Sequence, residues 1–404
     1  MINKQSHKNK HPFLNRENLY TLFLCLVWGK GLLVYTRTFI VNTPLDILAP
    51  IIDSIILLLC VPIALKRLLQ QIKVQDIIFI TSVVIIYLFQ YILFPQNSMI
   101  LTELISVCLF GSLPLYLIGI QIDITKLQKA FQKTSIVVVV FCLFYSLIYS
   151  QRVHGALDSN ADEMGIAYFI TPHVVFLLWQ TLKKFNWITF ISLFIGVLLI
   201  LSYGTRGPLV CLCIWLIAYT LIVTNFRSKL LLTAIMIMIA CAFYLYSNSI
   251  LNFLFDFLPS IGMSNRIIEK IMTDIFIGYE HSSERDTILI QLWSALQQSH
   301  FNGYGIHGTW AISGGYAHNI LFDFWISFGI IWGSILMLTI LILFLRAFNT
   351  CKSEDEKALL LLLFTFGFFK LFLSNLYLKE PYFWLLIGYC VYLIRNKYNV
   401  YESN

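Results

Sequence analysis

Residues 187–224 read WITFISLFIGVLLILSYGTRGPLVCLCIWLIAYTLIVT, and this stretch decides the class of the fold. It consists of two apolar runs, 187–203 and 208–224, joined by a short segment that carries Arg206. Runs of this length and apolarity can cross the hydrocarbon core of a bilayer as helices. A backbone in lipid must satisfy its own hydrogen bonds, so we predict that both runs are transmembrane helices.

The rest of the chain has the same character. Of its 404 residues, 58% are hydrophobic and 12% are charged, and the mean hydropathy is +0.78. Soluble domains are about one quarter charged, so most of this chain must face lipid or other helices. We predict an all-α, polytopic integral membrane protein with a single transmembrane domain, residues 1–404, of about twelve helices. The predicted spans are residues 19–35, 46–65, 76–94, 100–120, 134–150, 166–182, 187–203, 208–224, 230–247, 318–345, 358–376 and 381–394.

The basic residues indicate the orientation of these spans. Most of the 28 Lys and Arg residues fall in alternate loops, which are the cytoplasmic loops if the N-terminus is cytoplasmic. Cytoplasmic loops of membrane proteins are enriched in Lys and Arg, so we predict that both termini are cytoplasmic. The same placement explains the net charge of +7 without a nucleic-acid partner, and we expect none.

The predicted outer face carries one large loop, residues 248–317, between the ninth and tenth spans. Within it, Ser283 and Asp286 have the spacing of a capping box, and the apolar residues that follow recur at helical spacing. The loop is therefore predicted to contain a helix. Loops of this length are usually functional or disordered, and the aromatic content of this one argues against disorder. We expect an ordered cap over a cavity.

Part of this loop matches a nucleotide-binding pattern by its letters alone. Gly303, Gly305 and Gly308 have the spacing GxGxxG. In a dinucleotide-binding domain that motif follows a β-strand and lies in a βαβ unit. Here it leads into a predicted membrane helix, so we do not predict a dinucleotide site.

The segment SYGTRGPLV, residues 202–210, holds the first candidate binding residue. Gly204 and Gly207 flank Arg206 and allow a ligand to approach the backbone, and Pro208 suits the first turn of a helix. Arg206 would then lie beside a helix N-terminus, where N–H groups and the dipole favour an anion. A guanidinium there suits a diphosphate. The alternative is an arginine that reaches outward to lipid headgroups at a tight turn.

His318 is the candidate catalytic residue. It lies in YAHNILFDFW, residues 316–325, near the N-terminus of the tenth span, where the helix dipole disfavours the imidazolium. A neutral histidine can act as a general base toward a hydroxyl. The alternative is an interfacial histidine, with Asn319 capping the helix. Asp323 lies one turn beyond Asn319, and a carboxylate at that depth is expected to face a cavity or a partner.

Arg285, in the segment SSERDTIL, is a third candidate. It lies between two acidic residues, so the alternative is a solvated surface cluster. Further ionisable residues within the predicted spans have no assigned role. They are Lys30, Asp53, Glu103, His173 and Lys370. Glu103 and Lys370 have opposite charges and are candidates for a pair, whereas a proton or ion pathway through such residues would indicate a transporter.

Taken together, these segments resemble the O-antigen ligase and polymerase family of bacterial membrane glycosyltransferases. Their order, their spacing and the large loop before the tenth span fit that family. The segments are SYGTRGPLV (202–210), SERDTILIQLWSAL (283–296), HFNGYGI (300–306) and GYAHNILFDFWISFGIIWGSIL (315–336).

The resemblance implies an enzyme of the bacterial cytoplasmic (inner) membrane that acts on an undecaprenyl-diphosphate-linked oligosaccharide at the outer face. Arg206 and Arg285 correspond to the family's two arginines that hold the donor diphosphate, and His318 to the histidine that activates the acceptor. The residues expected to support this site are Gly204, Gly207, Asn319 and Asp323. The resemblance implies no nucleotide sugar, cofactor or metal.

The resemblance also indicates which reaction to expect. The ligase pattern often has a second histidine two positions before the first, and this chain has Tyr316 there, which favours a polymerase of repeat units for O-antigen or capsular polysaccharide. A chain-length regulator is then a candidate partner. A ligase that transfers glycan to a lipid A core or another acceptor remains an alternative. A transporter that flips lipid-linked oligosaccharide also remains open, although the chain has no internal repeat and its polar candidates gather at one surface.

Overall fold

The computed structural model describes residues 72–97, 112–153, 160–203, 205–261, 268–269, 271–273 and 284–401. Every regular element in these ranges is a helix, so the all-α prediction is confirmed for them. The first two predicted spans and most of the fourth lie outside the described residues.

We number the α-helices of the described ranges in chain order. The first seven are α1 (Val74–Leu93), α2 (Leu113–Gly119), α3 (Ile124–Val153), α4 (Asn160–Lys183), α5 (Trp187–Ser202), α6 (Arg206–Ile222) and α7 (Phe226–Ser260). The next five are α8 (Glu284–Gln298), α9 (Gly308–Ser313), α10 (Ile320–Phe348), α11 (Glu354–Gly367) and α12 (Pro381–Tyr401). Short 3-10 helices, Pro95–Asn97 and Phe369–Phe372, follow α1 and α11.

Helix α3 begins earlier than the sequence predicts. Its first residue is Ile124, whereas the fifth span is predicted to start at residue 134. Leu127, Ala130 and Phe131 are each 1% exposed and lie on one face of the early turns. A buried apolar face stabilises a helix, so the helix extends into a segment whose lysines made it resemble a loop.

Helix α7 continues past its predicted end. The ninth span is predicted to end at residue 247, and Tyr246 indeed has non-helical dihedral angles (φ −118°, ψ 19°) that mark a kink. The chain then resumes its helix to Ser260, with Leu251 and Leu258 buried against the core that α3, α4 and α5 form. The segment predicted as the large loop, residues 248–317, therefore begins with helical residues 248–260, which pack against the bundle.

Four helices of the described ranges are long and apolar enough to cross a membrane. They are Val74–Leu93, Ile124–Leu147, Met164–Lys183 and Ile320–Phe348. A helix of 20 residues is about 30 Å long, the thickness of the hydrocarbon core. Only 11% of the apolar stretch in α1 and 17% of that in α10 are buried, so both helices present apolar side chains outward. Apolar surface of this extent is expected against lipid and not against water.

Helix α4 lies at the centre of the described bundle. It packs against α3, α5, α6 and α11, and its Phe176 and Trp179 are almost fully buried. Helix α12 packs against α2, α10 and α11. Gly119 permits the close approach of α2 and α12, because a Cβ there would lie 2.7 Å from the Leu385 carbonyl oxygen. These contacts hold α4, α6 and α11 together next to the candidate site.

Helix α10 is broken at Gly329, which has φ 80° and ψ 165°, a conformation essentially restricted to glycine. The two segments fold against each other beside the break. A Cβ on Gly333 would lie 2.7 Å from the Phe324 carbonyl, and the Trp325 indole N–H donates to Ser334 Oγ (2.9 Å). In a straight helix, residues nine apart are separated by about 13 Å along the axis. The tenth span therefore consists of two helical segments, a break that the sequence does not predict.

The glycine-rich loop before α9 pairs with the backbone at this break. The Tyr304 N–H donates to the Ile326 carbonyl (2.6 Å), and the Ile330 N–H donates to the Phe301 carbonyl (3.1 Å). Gly303 lies in the contact, where a Cβ would be 2.5 Å from the Gly329 nitrogen. The break thus leaves backbone groups without helical partners, and the loop satisfies them.

The other side of this loop rests on the end of α1. Asn97 Nδ2 donates to the carbonyls of Tyr304 (3.0 Å) and Ile306 (3.2 Å), and the Ile306 N–H donates to Gln90 Oε1 (3.0 Å). The segment 303–308 is an irregular connection between α8 and α9, with no strand before it in the described residues.

We expect Gly329→Ala to lower the free energy of unfolding by at least about 1–3 kcal/mol, because a side chain is strained at this φ and ψ. Its Cβ would also lie 2.7 Å from the Phe301 carbonyl oxygen. Gly315→Ala is the control, since a Cβ there meets open space, and we expect a change within about 0.5 kcal/mol. Thermal unfolding in detergent measures both, and equal stability of the two variants would contradict the strained break.

Candidate functional site

The first predicted site residue lies at the start of a helix. Arg206 is the first residue of α6, Thr205 before it is extended (φ −122°), and Pro208 is buried in the first turn. The prediction that Arg206 lies beside a helix N-terminus is confirmed. The first N–H groups of a helix have no partner within it, so this end favours an anion. Arg206 is exposed, and Gly204 lies outside the described residues.

Tyr168 of α4 covers this helix start. Its hydroxyl lies so close to the α-carbon of Gly207 that a Cβ at this position would overlap it. Gly207 is therefore required for the contact between α4 and α6, in addition to the backbone access that the sequence predicts. Tyr168 itself is 7% exposed, and sequence reasoning missed it because a tyrosine in an apolar run resembles any core aromatic residue.

Arg285 approaches the same place from α8. It is the second residue of this helix, which confirms the predicted helix in the loop, although Ser283 of the predicted capping box lies outside the described residues. The Arg285 side chain is exposed, and its positive charge acts on both the His318 ring and the Tyr168 hydroxyl. This influence relates the exposed Arg285 to His318 and Tyr168.

His318 is held in an unusual backbone conformation at the entry to α10. Its φ is 51°, in the left-handed region that few non-glycine residues adopt. Its ring packs on the ring of Tyr316, with the centroids 4.0 Å apart. Asn319 is the N-cap of α10, and its Oδ1 accepts from the Leu321 N–H (3.0 Å), as the sequence predicts. The cap fixes the start of α10 next to His318, and the imidazole lies against the tilted ring of Tyr316.

The imidazole of His318 is neutral at pH 7. Burial, and secondly the positive charge of Arg285, lower its pKa from 6.5 to about 4. The sequence predicts the neutral form from the helix dipole, whereas the causes in the structure are burial and the charge of Arg285. Within the described part of the chain, Nδ1 of this ring is buried and has no hydrogen-bond partner. A neutral ring with an unpaired nitrogen can accept a proton from a ligand.

Lys370 lies over the ring of Tyr168. Its Nζ lies 5.1 Å from the centre of the Tyr168 ring and 2.5 Å from Glu380 Oε2. Asn375 Nδ2 donates to the same carboxylate oxygen (2.7 Å). The structure therefore pairs Lys370 with Glu380, which lies just before α12, whereas Glu103 lies outside the described residues. The sequence could not find this pair, because it depends on how α11 and α12 are joined.

Asp323 faces a different neighbour. It is 3% exposed and lies near the Thr309 hydroxyl of α9, without a direct hydrogen bond to it in the described structure. His307, the N-cap residue of α9, is also buried, and its Nδ1 is unpaired among the described residues. Burial, and then the charge of Lys379, lower the pKa of His307 to about 4. Asp323 is thus one turn from Asn319 but turns toward α9, so nothing places it with the arginines.

His173, the other ionisable residue of the predicted spans that lies in the described ranges, does not join the site. His173 is buried between Phe131 and Phe169, and its Nδ1 lies 3.1 Å from Ser135 Oγ. This environment is that of a core histidine. Lys30, Asp53 and Glu103 lie outside the described residues.

The candidate residues are related through the Tyr168 hydroxyl and the positive charge of Arg285. The α6 start contacts the Tyr168 hydroxyl, and the charge of Arg285 reaches both Tyr168 and His318. Such a site combines cationic donors, a helix N-terminus and a neutral base, which suits an anionic ligand beside a reacting hydroxyl. Compared with known proteins, the chain matches no family model, no curated protein and no solved structure.

We expect Lys370→Ala to lower the free energy of unfolding by about 3–5 kcal/mol, because it leaves the Glu380 carboxylate buried without its cation. Glu380 is 1% exposed. The control is Lys183→Ala, which removes an exposed pair with Asp355 (2.6 Å) and should change stability by less than about 1 kcal/mol. Thermal unfolding of both variants in detergent checks this, and a smaller loss for Lys370→Ala than for Lys183→Ala would contradict it.

Proposed function

We propose that the protein polymerises undecaprenyl-diphosphate-linked oligosaccharide repeat units of an O-antigen or capsular polysaccharide. The observation that carries this proposal is the arrangement around Tyr168. The first turn of α6, next to Arg206, contacts the Tyr168 hydroxyl, and the charge of Arg285 acts on both Tyr168 and the neutral ring of His318. The resemblance of the sequence segments to membrane glycosyltransferases supports the same reading of these residues.

The proposal includes a topology. The chain crosses the bacterial cytoplasmic membrane about twelve times, with both termini cytoplasmic and the site at the outer face. The contacts between helix ends support such an arrangement. Arg395 of α12 pairs with Asp76 of α1 (2.7 Å), and Lys183 of α4 pairs with Asp355 of α11 (2.6 Å), and all four belong to helix ends assigned to the cytoplasmic side. Tyr168 and Arg206 belong to helix ends assigned to the opposite side.

The donor diphosphate would bind at the start of α6. Arg206 and the N–H groups of the first turn supply donors there, and Arg285 supplies a second guanidinium. Negative charge grows on the diphosphate as it leaves the sugar, so these groups stabilise the transition state more than the ground state. The paired Lys370 is neutralised by Glu380, and its part is to hold Tyr168 in place.

The reaction is a glycosyl transfer, most simply with inversion. The acceptor hydroxyl oxygen attacks the anomeric carbon of the donor sugar and forms the new glycosidic bond. The bond from that carbon to the diphosphate oxygen breaks, and its electron pair leaves with undecaprenyl diphosphate. The hydroxyl proton goes to the imidazole of His318, which is neutral before the reaction.

Donor binding should make His318 a better base. The charge of Arg285 is one of the two causes that lower the pKa of His318. A bound diphosphate offsets that positive charge, so the pKa should rise in the donor complex. His318 would then be a strong base only when the donor is bound. In the empty enzyme its low pKa keeps the ring unprotonated.

This coupling predicts two different pH dependences. The reaction needs the neutral form of His318. The value of kcat/KM should therefore fall only as the pH is lowered through about 4, the pKa of His318 in the empty enzyme. The acid limb of kcat should lie at higher pH, because it reports the donor complex. Arg285→Ala should move the kcat/KM limb upward but not as far as 6.5, since burial remains. Acid limbs at 6.5 for both parameters in wild type and Arg285→Ala would contradict the coupling.

The function itself is tested by the surface polysaccharide of a deletion strain. Complementation with wild type should restore a ladder of long chains, whereas the deletion leaves acceptors with a single repeat unit. We expect His318→Ala to lower the rate about 100- to 10000-fold and Arg206→Ala about 100- to 1000-fold, so neither restores the ladder.

Two exposed residues provide matched controls. His300→Ala changes a loop histidine, and Arg227→Ala changes an arginine in the first turn of α7. Both should restore the ladder at normal expression. If His318→Ala and Arg206→Ala also restore it, the assigned roles are wrong. If all attached glycan disappears while polymer accumulates on the lipid carrier, the protein is a ligase.

One observation favours a second candidate, a transporter that flips lipid-linked oligosaccharide. Broken helices and buried carboxylates are features of transporter sites, and α10 has a break at Gly329 and the buried Asp323. The two candidates differ in the isolated protein. Purified protein in detergent, where no membrane sides exist, should lengthen lipid-linked oligosaccharide if it is the polymerase, and should leave it unchanged if it is a transporter.

A further inference from the structure

The hydroxyl of Tyr168 lies where the donor diphosphate would bind. It contacts the α-carbon of Gly207 in the first turn of α6, next to Arg206 in the chain. The charge of Arg285 acts on it, and Ser374 lies beside it. The side chain is 7% exposed, so its position is fixed by the protein and not by solvent.

We infer that the Tyr168 hydroxyl is a third ligand of the anion, donating a hydrogen bond to a phosphate oxygen of the undecaprenyl diphosphate. This inference rests on the proposed function and names a residue that the sequence did not. A phenol O–H that donates to an ionised phosphate forms a short, charge-assisted hydrogen bond. The Tyr168 hydroxyl adds a third donor to the two guanidiniums, and the packing of its side chain fixes the position of this donor.

The residues that contact the Tyr168 ring fix the position of its hydroxyl. Lys370 lies 5.1 Å from the ring centre and is bound to Glu380, which Asn375 also contacts. An ammonium that already has a carboxylate partner has little charge to offer a phosphate, so its contact with the ring positions Tyr168. The hydroxyl is therefore aimed before the ligand arrives, which lowers the entropy lost on binding.

Gly207 makes the arrangement testable from the other side. Any side chain at this position overlaps the Tyr168 hydroxyl and must displace it. Gly207→Ala should therefore weaken the same interaction as Tyr168→Phe, although it leaves the phenol in the protein. The two substitutions should not be additive, because each removes the same hydrogen bond.

The test is binding of undecaprenyl diphosphate to the full chain in nanodiscs. We expect Tyr168→Phe to weaken binding about 10- to 100-fold, the range for a hydrogen bond to a charged group. The double variant, Tyr168→Phe with Gly207→Ala, should bind no more than about 3-fold more weakly than Gly207→Ala alone, because the two substitutions remove the same hydrogen bond. Tyr389→Phe is the control, since that hydroxyl is buried, has no partner among the described residues and lies on α12; it should bind like wild type.

The outcomes separate this inference from the proposed function. If wild type does not bind undecaprenyl diphosphate, the proposed function fails and the inference fails with it. If wild type binds and both Tyr168→Phe and Gly207→Ala bind equally well, the role of Tyr168 is overturned while the proposed function stands. If Tyr168→Phe unfolds, Gly207→Ala decides the question, because unchanged binding by that variant would overturn the role of the hydroxyl.

Discussion

The contact between the Tyr168 hydroxyl and the α-carbon of Gly207 is the constraint on which the candidate site depends. It fixes the start of α6 against α4, the central helix of the described bundle. The Lys370–Glu380 pair lies under the same ring and ties it to the α11–α12 connection. Because each partner restricts the others, the helix start that carries Arg206 has one defined position. A loosely held helix end could not aim its N–H groups at a ligand.

The second constraint is the break of α10 at Gly329. Without it, residues 320–348 would form one straight helix, and the loop before α9 would lose the backbone partners that it finds at Ile326 and Ile330. The break sets the short segment that begins at Ile320, and Asn319 caps that segment. His318 is thus positioned by backbone geometry from two directions, which explains how it keeps a left-handed φ of 51°.

Features that depend on neighbours in sequence were predictable, and features that depend on distant packing were not. Pro208 and the flanking glycines indicate the start of α6, and Asn319 indicates the start of α10, because these are local signals. Tyr168 and Glu380 were missed, since only the packed bundle brings Tyr168 to Gly207 and Glu380 to Lys370. Gly329 was also missed, because a glycine in an apolar run is usually tolerated within a helix.

In the proposed function, the start of α6, Arg285 and His318 form one donor site. The most direct measurement is a cryo-EM structure of the full-length His318→Ala protein in nanodiscs with its lipid-linked oligosaccharide, since slow turnover keeps the donor intact. We expect the diphosphate at the first turn of α6, within hydrogen-bond distance of Arg206 and Arg285, with the sugar toward residue 318. A diphosphate bound elsewhere, for example beside Asp323 and His307, would contradict it.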